Sequence, residues 1–422
     1  MSLPRYPEYR DSRVPWLGEL PAHWGVSPMK RLLDIQNGAD YKHIEAEDGY
    51  PVLGSGGQFT FATDYIYDGE SVLLGRKGTI DRPLHVKGRF WTVDTMYWSR
   101  IRPDVCGRFC YYAATTIPFG LYSTNTALPS MTKAALDAHF LASPPLEEQR
   151  SIANLLDRET AKIDALIAEQ EKLLALLAEK RQAAISHAVT RGLDPNAPMK
   201  DSGIAWLGEV PAHWEITRLG VILDAIGDVD HFMPASVEQG VPYLMTGDLK
   251  EFVSEVSLEG CKQVSDEDYL ALSRKIKSSK GDVIMARYAT IGTSMYVDVD
   301  TDFLVSYSCV TLKANHSKVS GLYLFQYMRS DAFRQAVEGQ VNTNTQGNVG
   351  INHLKNISVV LPPITEQAGI AAFVGSETAT IDEMKAEAER AITLLRERRS
   401  ALIAAAVTGK IDVRGAVERE AS

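Results

Sequence analysis

Two stretches of this sequence occur twice and in the same order. Trp16-Leu-Gly-Glu-Leu-Pro-Ala-His-Trp24 returns as Trp206-Leu-Gly-Glu-Val-Pro-Ala-His-Trp214, and Pro144-Pro-Leu-Glu-Glu-Gln149 returns as Pro362-Pro-Ile-Thr-Glu-Gln367. The first pair lies 190 positions apart and the second 218, so matched edges enclose interiors of unequal length. A chain of 422 residues is too long for one ordinary core. The duplication divides it into two units that share one scaffold and present two different surfaces.

The segments after the Pro-Pro motifs are the most strongly patterned. Ile152, Leu155, Leu156, Ile163, Leu166, Leu173, Leu174, Leu177, Ile185 and Val189 follow a helical stripe. Shifted by 218 positions, the same places hold Ile370, Phe373, Val374, Ile381, Met384, Ala391, Ile392, Leu395, Ile403 and Val407. Neither Gly nor Pro interrupts the first copy from about residue 146 to 190. Each helix should therefore run on the order of 40 residues, roughly 60 Å. A one-sided stripe of that length needs a partner, and its twin in the other half is the nearest one. Asp164 and Asp382 recur inside the helices and are expected to face water. The segment 193–203, rich in turn-forming residues, reads as the connection between units.

The interiors, about 25–143 and 215–361, read as short strands broken by Gly and Pro, with a helical Gly321-Leu-Tyr-Leu-Phe-Gln-Tyr-Met among them. A mixed α+β domain with a curved sheet is expected in each. Gly69-Glu-Ser-Val-Leu-Leu-Gly-Arg76-Lys-Gly-Thr79-Ile aligns with Gly281-Asp-Val-Ile-Met-Ala-Arg287-Tyr-Ala-Thr290-Ile after one deletion, placing Arg and Thr just past a strand in both units. Ser123-Thr-Asn-Thr126 is echoed by Asn342-Thr-Asn-Thr345. Such side chains on loops bond phosphates and base edges. They equally brace loops, and both roles stay open for Arg76 and Arg287. The formal net charge of −10 argues against nucleic acid, yet basic residues gather between Val72 and Arg108 and again around Arg274 to Arg287.

Several chemistries are absent from the sequence. There is no phosphate-cradling Gly-x-x-x-x-Gly-Lys-[Ser/Thr], no Asn-Pro-Pro-Tyr or Asp-Pro-Pro-Tyr of an amino-methylating enzyme, and no His-Glu-x-x-His. Gly54-Ser-Gly-Gly57 lacks the βαβ setting of a dinucleotide site and reads as a loop. His23 and His213 repeat inside an apolar motif and read as packed or capping residues. Cys106, Cys110, Cys261 and Cys309 occupy different places in the two halves, so they read as reduced thiols without a shared disulfide or metal site. With neither a signal-like start nor a membrane-length apolar run, a cytoplasmic location is expected.

The two duplicated motifs, four copies in this order over nearly the whole chain, closely resemble the specificity subunit of type I restriction-modification systems. Tyr50-Pro-Val-Leu-Gly-Ser-Gly-Gly-Gln58 and Gly75-Arg-Lys-Gly-Thr79 are similar to recurrent segments of its target recognition domains, as are Pro242-Tyr-Leu-Met-Thr-Gly-Asp248 and Gly281-Asp-Val-Ile-Met-Ala-Arg287. The resemblance implies an α+β chain with two α/β target recognition domains separated by two long antiparallel helices, a coiled coil with internal pseudo-twofold symmetry. On that reading residues 1–144 form the first recognition domain with its amino-terminal arm and 145–192 the first spacer helix. Residues 193–361 form the linker and second domain, 362–412 the second spacer helix and 413–422 a tail.

It further implies a non-catalytic subunit, each half of which reads one half of a bipartite site in double-stranded DNA while the helices fix the spacing. Two methyltransferase subunits and the restriction/translocase subunits are the implied partners. S-adenosylmethionine, ATP and Mg are expected on those partners and no cofactor on this chain. The implied DNA-binding residues are Ser55, Gln58, Arg76, Lys77, Thr79, Thr124 and Asn125 in the first unit. In the second they are Thr246, Lys250, Lys277, Arg287, Tyr288, Thr290, Asn344 and Gln346. Glu148, Gln149, Glu366 and Gln367 are the implied partner contacts, although acids at a helix start are also ordinary dipole partners. A duplicated coiled-coil scaffold that binds other proteins and no DNA is the alternative.

Overall fold

The computed structural model describes residues 4–122, 129–340 and 347–416. The chain folds as two compact units, one built from Met1–Glu171 with Glu389–Ser422 and the other from Lys172–Ala388. The division cuts through both long helices, Leu146–Arg191 of 46 residues and Ile364–Val407 of 44. Each unit thus owns the start of one helix and the end of the other.

In the first unit Ile152, Leu155 and Leu156 near the start of one helix pack in a common core with Ile403, Ala406 and Val407 near the end of the other. In the second unit the matching residues trade places, with Ile185, Ala188 and Val189 sharing a core with Ile370 and Val374. The helices are antiparallel in each unit. Asp164 does not simply face water: Arg399 Nε lies 2.8 Å from its carboxylate. Asp382 is engaged in the same way by Arg181, at 3.3 Å. Arg181 and Arg399 are themselves 218 positions apart, so one cross-helix ion pair occurs twice. Leu166 and Met384, stripe positions expected to be covered, are 51% and 43% exposed.

A tryptophan ties the helices together in each unit. Trp24 donates its indole N–H to Glu148 at the start of one helix, at 2.6 Å, and Trp214 donates to Glu366 at 3.0 Å. His23 and His213 place Nε2 2.7 and 2.8 Å from the same two carboxylates. The far side of each indole faces the glycine that ends the other helix. A Cβ on Gly409 would stand 3.0 Å from Trp24 Cζ3 and 2.4 Å from Pro21 Cδ, and one on Gly192 would stand 3.1 Å from Trp214 Cζ2. Both glycines have positive φ, 66° and 76°, where a side chain is strained whatever the space.

The neighbouring glutamines are buried and bonded within the chain. Gln149 Oε1 accepts from the Cys106 amide at 2.9 Å and so caps the helix Gly107–Ala114, while its Nε2 donates to the Pro144 carbonyl. Gln367 repeats this on Ser320, ahead of Gly321–Met328, and on the Pro362 carbonyl. Gln149 and Gln367, implied partner contacts, are thus turned into the chain, whereas the side chain of Glu366 stays 41% exposed and that of Glu148 12%. The glutamines satisfy backbone groups, and the glutamates the indole N–H groups, that burial would otherwise leave unpaired.

The interiors share a skeleton despite their different lengths. Each is zipped shut at its edges, Gly25–Pro28 against Phe140–Ser143 and Glu215–Arg218 against Ser358–Leu361. Each contains an antiparallel four-stranded sheet. The first runs Leu84–Val86, Ser71–Gly75, Met96–Ile101, Leu33–Asn37, and the second Leu223–Gly227, Cys309–Ala314, Val283–Ala286, Ser294–Tyr296. Each also has a second sheet, five-stranded in the first unit and three-stranded in the second, whose central strand, Tyr50–Gly54 or Val241–Leu244, pairs once parallel and once antiparallel. The mixed α+β expectation and the strands read from the sequence hold, with Ser71–Gly75 and Val283–Ala286 buried on both faces.

The two units differ at a buried histidine. His139 in the first is 3% exposed, stacked 4.8 Å from Trp16, with Nδ1 2.7 Å from the Tyr122 hydroxyl. The matching residue in the second is Ile357. Burial pushes the His139 imidazole down to about 4, below its usual ~6.5, so the unfolded chain binds the proton first. Stability of the first unit should fall as pH drops from 6.5 toward 4 by up to about 2 to 3 kcal/mol. His139→Ile should flatten that slope in thermal melts, and an unchanged slope would refute the assignment. Gly409→Ala should destabilise more than Gly192→Ala, because its Cβ meets backbone-anchored Pro21 rather than the edge of an indole; urea unfolding of both variants tests the order.

Candidate nucleic-acid interface

Both units place the same turn at the end of a fully buried strand. Ser71–Gly75 leads into Arg76-Lys77-Gly78-Thr79, and Val283–Ala286 into Arg287-Tyr288-Ala289-Thr290. The third residue has positive φ in each, 82° at Gly78 and 56° at Ala289. The arginine carbonyl accepts from Met131 in the first unit, at 2.9 Å, and from Val349 in the second, at 3.1 Å. Lys77 and Tyr288 bridge to Ser130 and Asn348. The alignment read from the sequence is thus a structural equivalence: one turn stitched to the chain that re-enters just before each long helix. Thr124, Asn125, Asn344 and Gln346 lie outside the described residues.

The arginines of these turns have opposite fates. Arg76 is half-buried, donates to the Asp94 carbonyl at 3.2 Å and stands 5.9 Å from the Tyr97 ring. Neither contact neutralises its charge. Arg287 is 7% exposed and ion-paired through Nη2 with Asp228, also 7% exposed. Lys275 adds a second cation 3.1 Å from Asp228 but is half-exposed on the solvent side. Withdrawing Arg287 toward a base would leave a buried carboxylate largely uncompensated, which costs about 3–5 kcal/mol. A bidentate base contact contributes about 1–3 kcal/mol. The balance holds Arg287 in the fold, paired with Asp228, which stands 59 residues earlier in sequence just after the strand Leu223–Gly227.

The other candidates spread around these turns. Ser55 is half-buried in the hairpin between Tyr50–Gly54 and Gly57–Ala62, and Gln58 is exposed on the second of those strands. Lys77, Thr79, Lys250 and Thr290 are exposed, and Thr246 and Tyr288 are half-buried. Lys277 is tied to Asp302 at 2.8 Å and lies 5.6 Å from the Tyr269 ring, contacts that hold its ammonium above the usual range. Sequence reasoning missed His231, exposed in the loop after Asp228. It stacks on Tyr307 at 4.5 Å, with Tyr288 edge-on at 6.3 Å. Only its place after the strand matching Leu33–Asn37 marked it.

Among the described residues no group of His, Cys, Asp and Glu is disposed to hold a metal, and no helix is long and apolar enough to cross a membrane. Residues 213–392 match the type I restriction modification DNA specificity domain. The specificity subunit of the type I restriction enzyme EcoBI of Escherichia coli is 21% identical over 92% of this chain and 86% of its own length. The putative type I restriction enzyme MjaX specificity subunit of Methanocaldococcus jannaschii is 22% identical over 94% and 96%. Over nearly its whole length the chain resembles the specificity subunits of type I restriction-modification systems, and its residues 213–392 carry their DNA specificity domain.

The fold agrees. A chain from a structure of a type I restriction-modification system, described for complex assembly and conformational transition, superposes with a TM-score of 0.69 at 14% identity, covering 92% of this chain and 98% of that one. The HsdS subunit from Thermoanaerobacter tengcongensis gives 0.51 at 14%, with the same coverage. A specificity subunit is the DNA-binding, non-catalytic member of its complex. Arg287→Ala should destabilise the second unit by about 3 kcal/mol, and Arg76→Ala the first by less than about 1 kcal/mol. Hydrogen exchange resolved by unit reads both, and equal losses would contradict the contrast between the arginines.

Proposed function

We propose that each unit of this specificity subunit reads one half of a bipartite site in double-stranded DNA, that the paired helices fix the spacing between the halves, and that two methyltransferase subunits dock on the repeated scaffold. The observation that carries the reading is the pattern of identity and difference. The indole ties, glutamine caps, edge strands and arginine turns are the same in both units, whereas the side chains beside the turns are not. A duplicated frame with unlike reading loops suits a site whose halves differ.

Docking has support of its own. In the first unit Leu166 and Leu394 are 51% and 59% exposed, and in the second Met384 and Leu176, the residues 218 positions from them, are 43% and 51% exposed. Large apolar side chains left open at matching places on a helix pair suit an apolar partner surface supplied twice. On this reading S-adenosylmethionine, ATP and Mg act on the methyltransferase and restriction/translocase partners, adenine is the methylated base, and base extrusion occurs in the methyltransferase.

One experiment with two arms tests this. Replacing residues 25–143 by the interior of another specificity subunit should change one half of the methylated site and leave the other half and the spacing intact. Leu166→Glu with Leu394→Glu should weaken co-purification of the methyltransferase at least tenfold. Changes in both halves, or unaltered assembly, would overturn the respective assignment.

A further inference from the structure

The buried Arg287–Asp228 pair sits directly beneath an aromatic array whose upper members are accessible. Arg287 Nη2 lies 3.4 Å from His231 Nε2, and the guanidinium lies 4.9 Å from the Tyr288 ring. His231 is exposed and stacked on Tyr307 at 4.5 Å with an interplanar angle of 28°, and Tyr288 meets it edge-on. Asp228 is fixed from the other side by Lys275, which also reaches Asp230 at 3.4 Å. The loop that carries His231 is therefore held at two carboxylates and one imidazole.

A guanidinium has donors only. A hydrogen bond between Arg287 and His231 Nε2 requires that nitrogen to accept, so the proton of the neutral ring resides on Nδ1. Arg287 thereby selects the tautomer of an exposed imidazole and leaves it a single donor. Major-groove edges of purines and of thymine offer acceptors to such a donor, and the Tyr288 hydroxyl adds a group that donates or accepts.

We infer that the second unit reads part of its half-site through His231 and Tyr288, and that Arg287 is a positioning residue that sets the orientation and tautomer of His231 without touching a base. The inference rests on the DNA-reading assignment proposed above. The comparison between the units supports it. The arginine is common to both turns, while the residues beside it change from Lys77-Gly78 to Tyr288-Ala289. Discrimination between unlike half-sites belongs to the residues that differ. The first unit has Asn37 at the strand end that pairs opposite Tyr97, and its arginine is not buried in an ion pair.

The test uses the complete complex of this subunit with its methyltransferase, expressed in a host whose methylated adenines are then mapped. His231→Ala and Tyr288→Phe, both accessible positions, should each relax discrimination about tenfold at base pairs of one half-site and leave the other half unchanged. Arg287→Lys should relax the same base pair as His231→Ala, and the double variant should be no worse there than His231→Ala alone. A site unchanged by His231→Ala and Tyr288→Phe would overturn the inference. So would Arg287→Lys acting additively or at a different base pair, since that would make Arg287 a direct reader. Should Arg287→Lys fail to fold, the two surface variants still decide for or against the array. A wild-type complex that methylates no defined bipartite site would instead overturn the assignment on which this one rests.

Discussion

Each unit depends on an indole held between a carboxylate and a glycine. The carboxylate, Glu148 or Glu366, belongs to the first turn of one long helix, where the helix dipole already favours an anion. The glycine, Gly409 or Gly192, ends the other helix in a conformation that only glycine adopts without strain. Trp24 and Trp214 bridge the two with one polar bond and one close face. An indole N–H buried without its acceptor costs about 1–3 kcal/mol, so the carboxylate is as much a requirement of the tryptophan as of the helix. The adjoining glutamine extends the tie into the recognition domain by capping its helix. Arm, helix pair and recognition domain are thus joined at one place in each unit, and that place is what the duplicated motifs encode.

This arrangement explains why the interiors tolerate different lengths. The chain leaves the tie through one edge strand and re-enters through its antiparallel neighbour, so whatever lies between starts and finishes at adjacent points. Closing a loop on such a base costs little more when the loop is longer, about 0.6 kcal/mol per doubling. The 28 residues by which the 218-position spacing exceeds the 190-position one can therefore be accommodated away from the tie without disturbing it. The tail uses the same logic in the first unit. The Asp412 amide bonds the Pro4 carbonyl, and Arg414 lies over Tyr6, whose hydroxyl reaches Glu148. Arm and tail together flank Trp24 much as the continuous segment 193–203 flanks Trp214.

Much of this was legible before any coordinates. Helix length, the helix-to-helix partnership, the strands and the equivalence of the two arginine turns follow from periodicity and repetition, which are local signals. What escaped is what depends on pairs distant in sequence. Glu148 and Gln149 sit in the first turn of a helix and look like dipole partners or surface contacts, because nothing nearby shows that Trp24 and Cys106 consume them. Asp164 and Asp382 do face water, but their ion pairs with Arg399 and Arg181 of the other helix are not visible in the spacing. Leu166 and Met384 fit the stripe by period, yet two helices cover only part of a stripe. Arg76 and Arg287 occupy matching places, and only Asp228, whose role no spacing announces, separates an arginine that faces outward from one that belongs to the core.

The same distinction resolves the apparent conflict between an acidic chain and a DNA ligand. In the second unit the basic stretch is largely matched in place: Lys275 to Asp228 and Asp230, Lys277 to Asp302, Lys280 to Asp300, Arg287 to Asp228 and Lys313 to Asp282. In the first unit Lys87, Arg89 and Arg108 are paired with Glu70, Asp68 and Asp157, but Arg76 meets a carbonyl and the Tyr97 ring, and Arg100 lies 5.4 Å from the Trp98 ring. Rings and carbonyls orient a cation without cancelling its field, whereas a carboxylate at 3 Å cancels most of it beyond a Debye length of about 8–10 Å. Net charge over 422 residues averages these two situations together. Phosphate attraction is set locally, and by that measure the first unit presents the stronger field while the second presents aromatic rings held on a neutralised base.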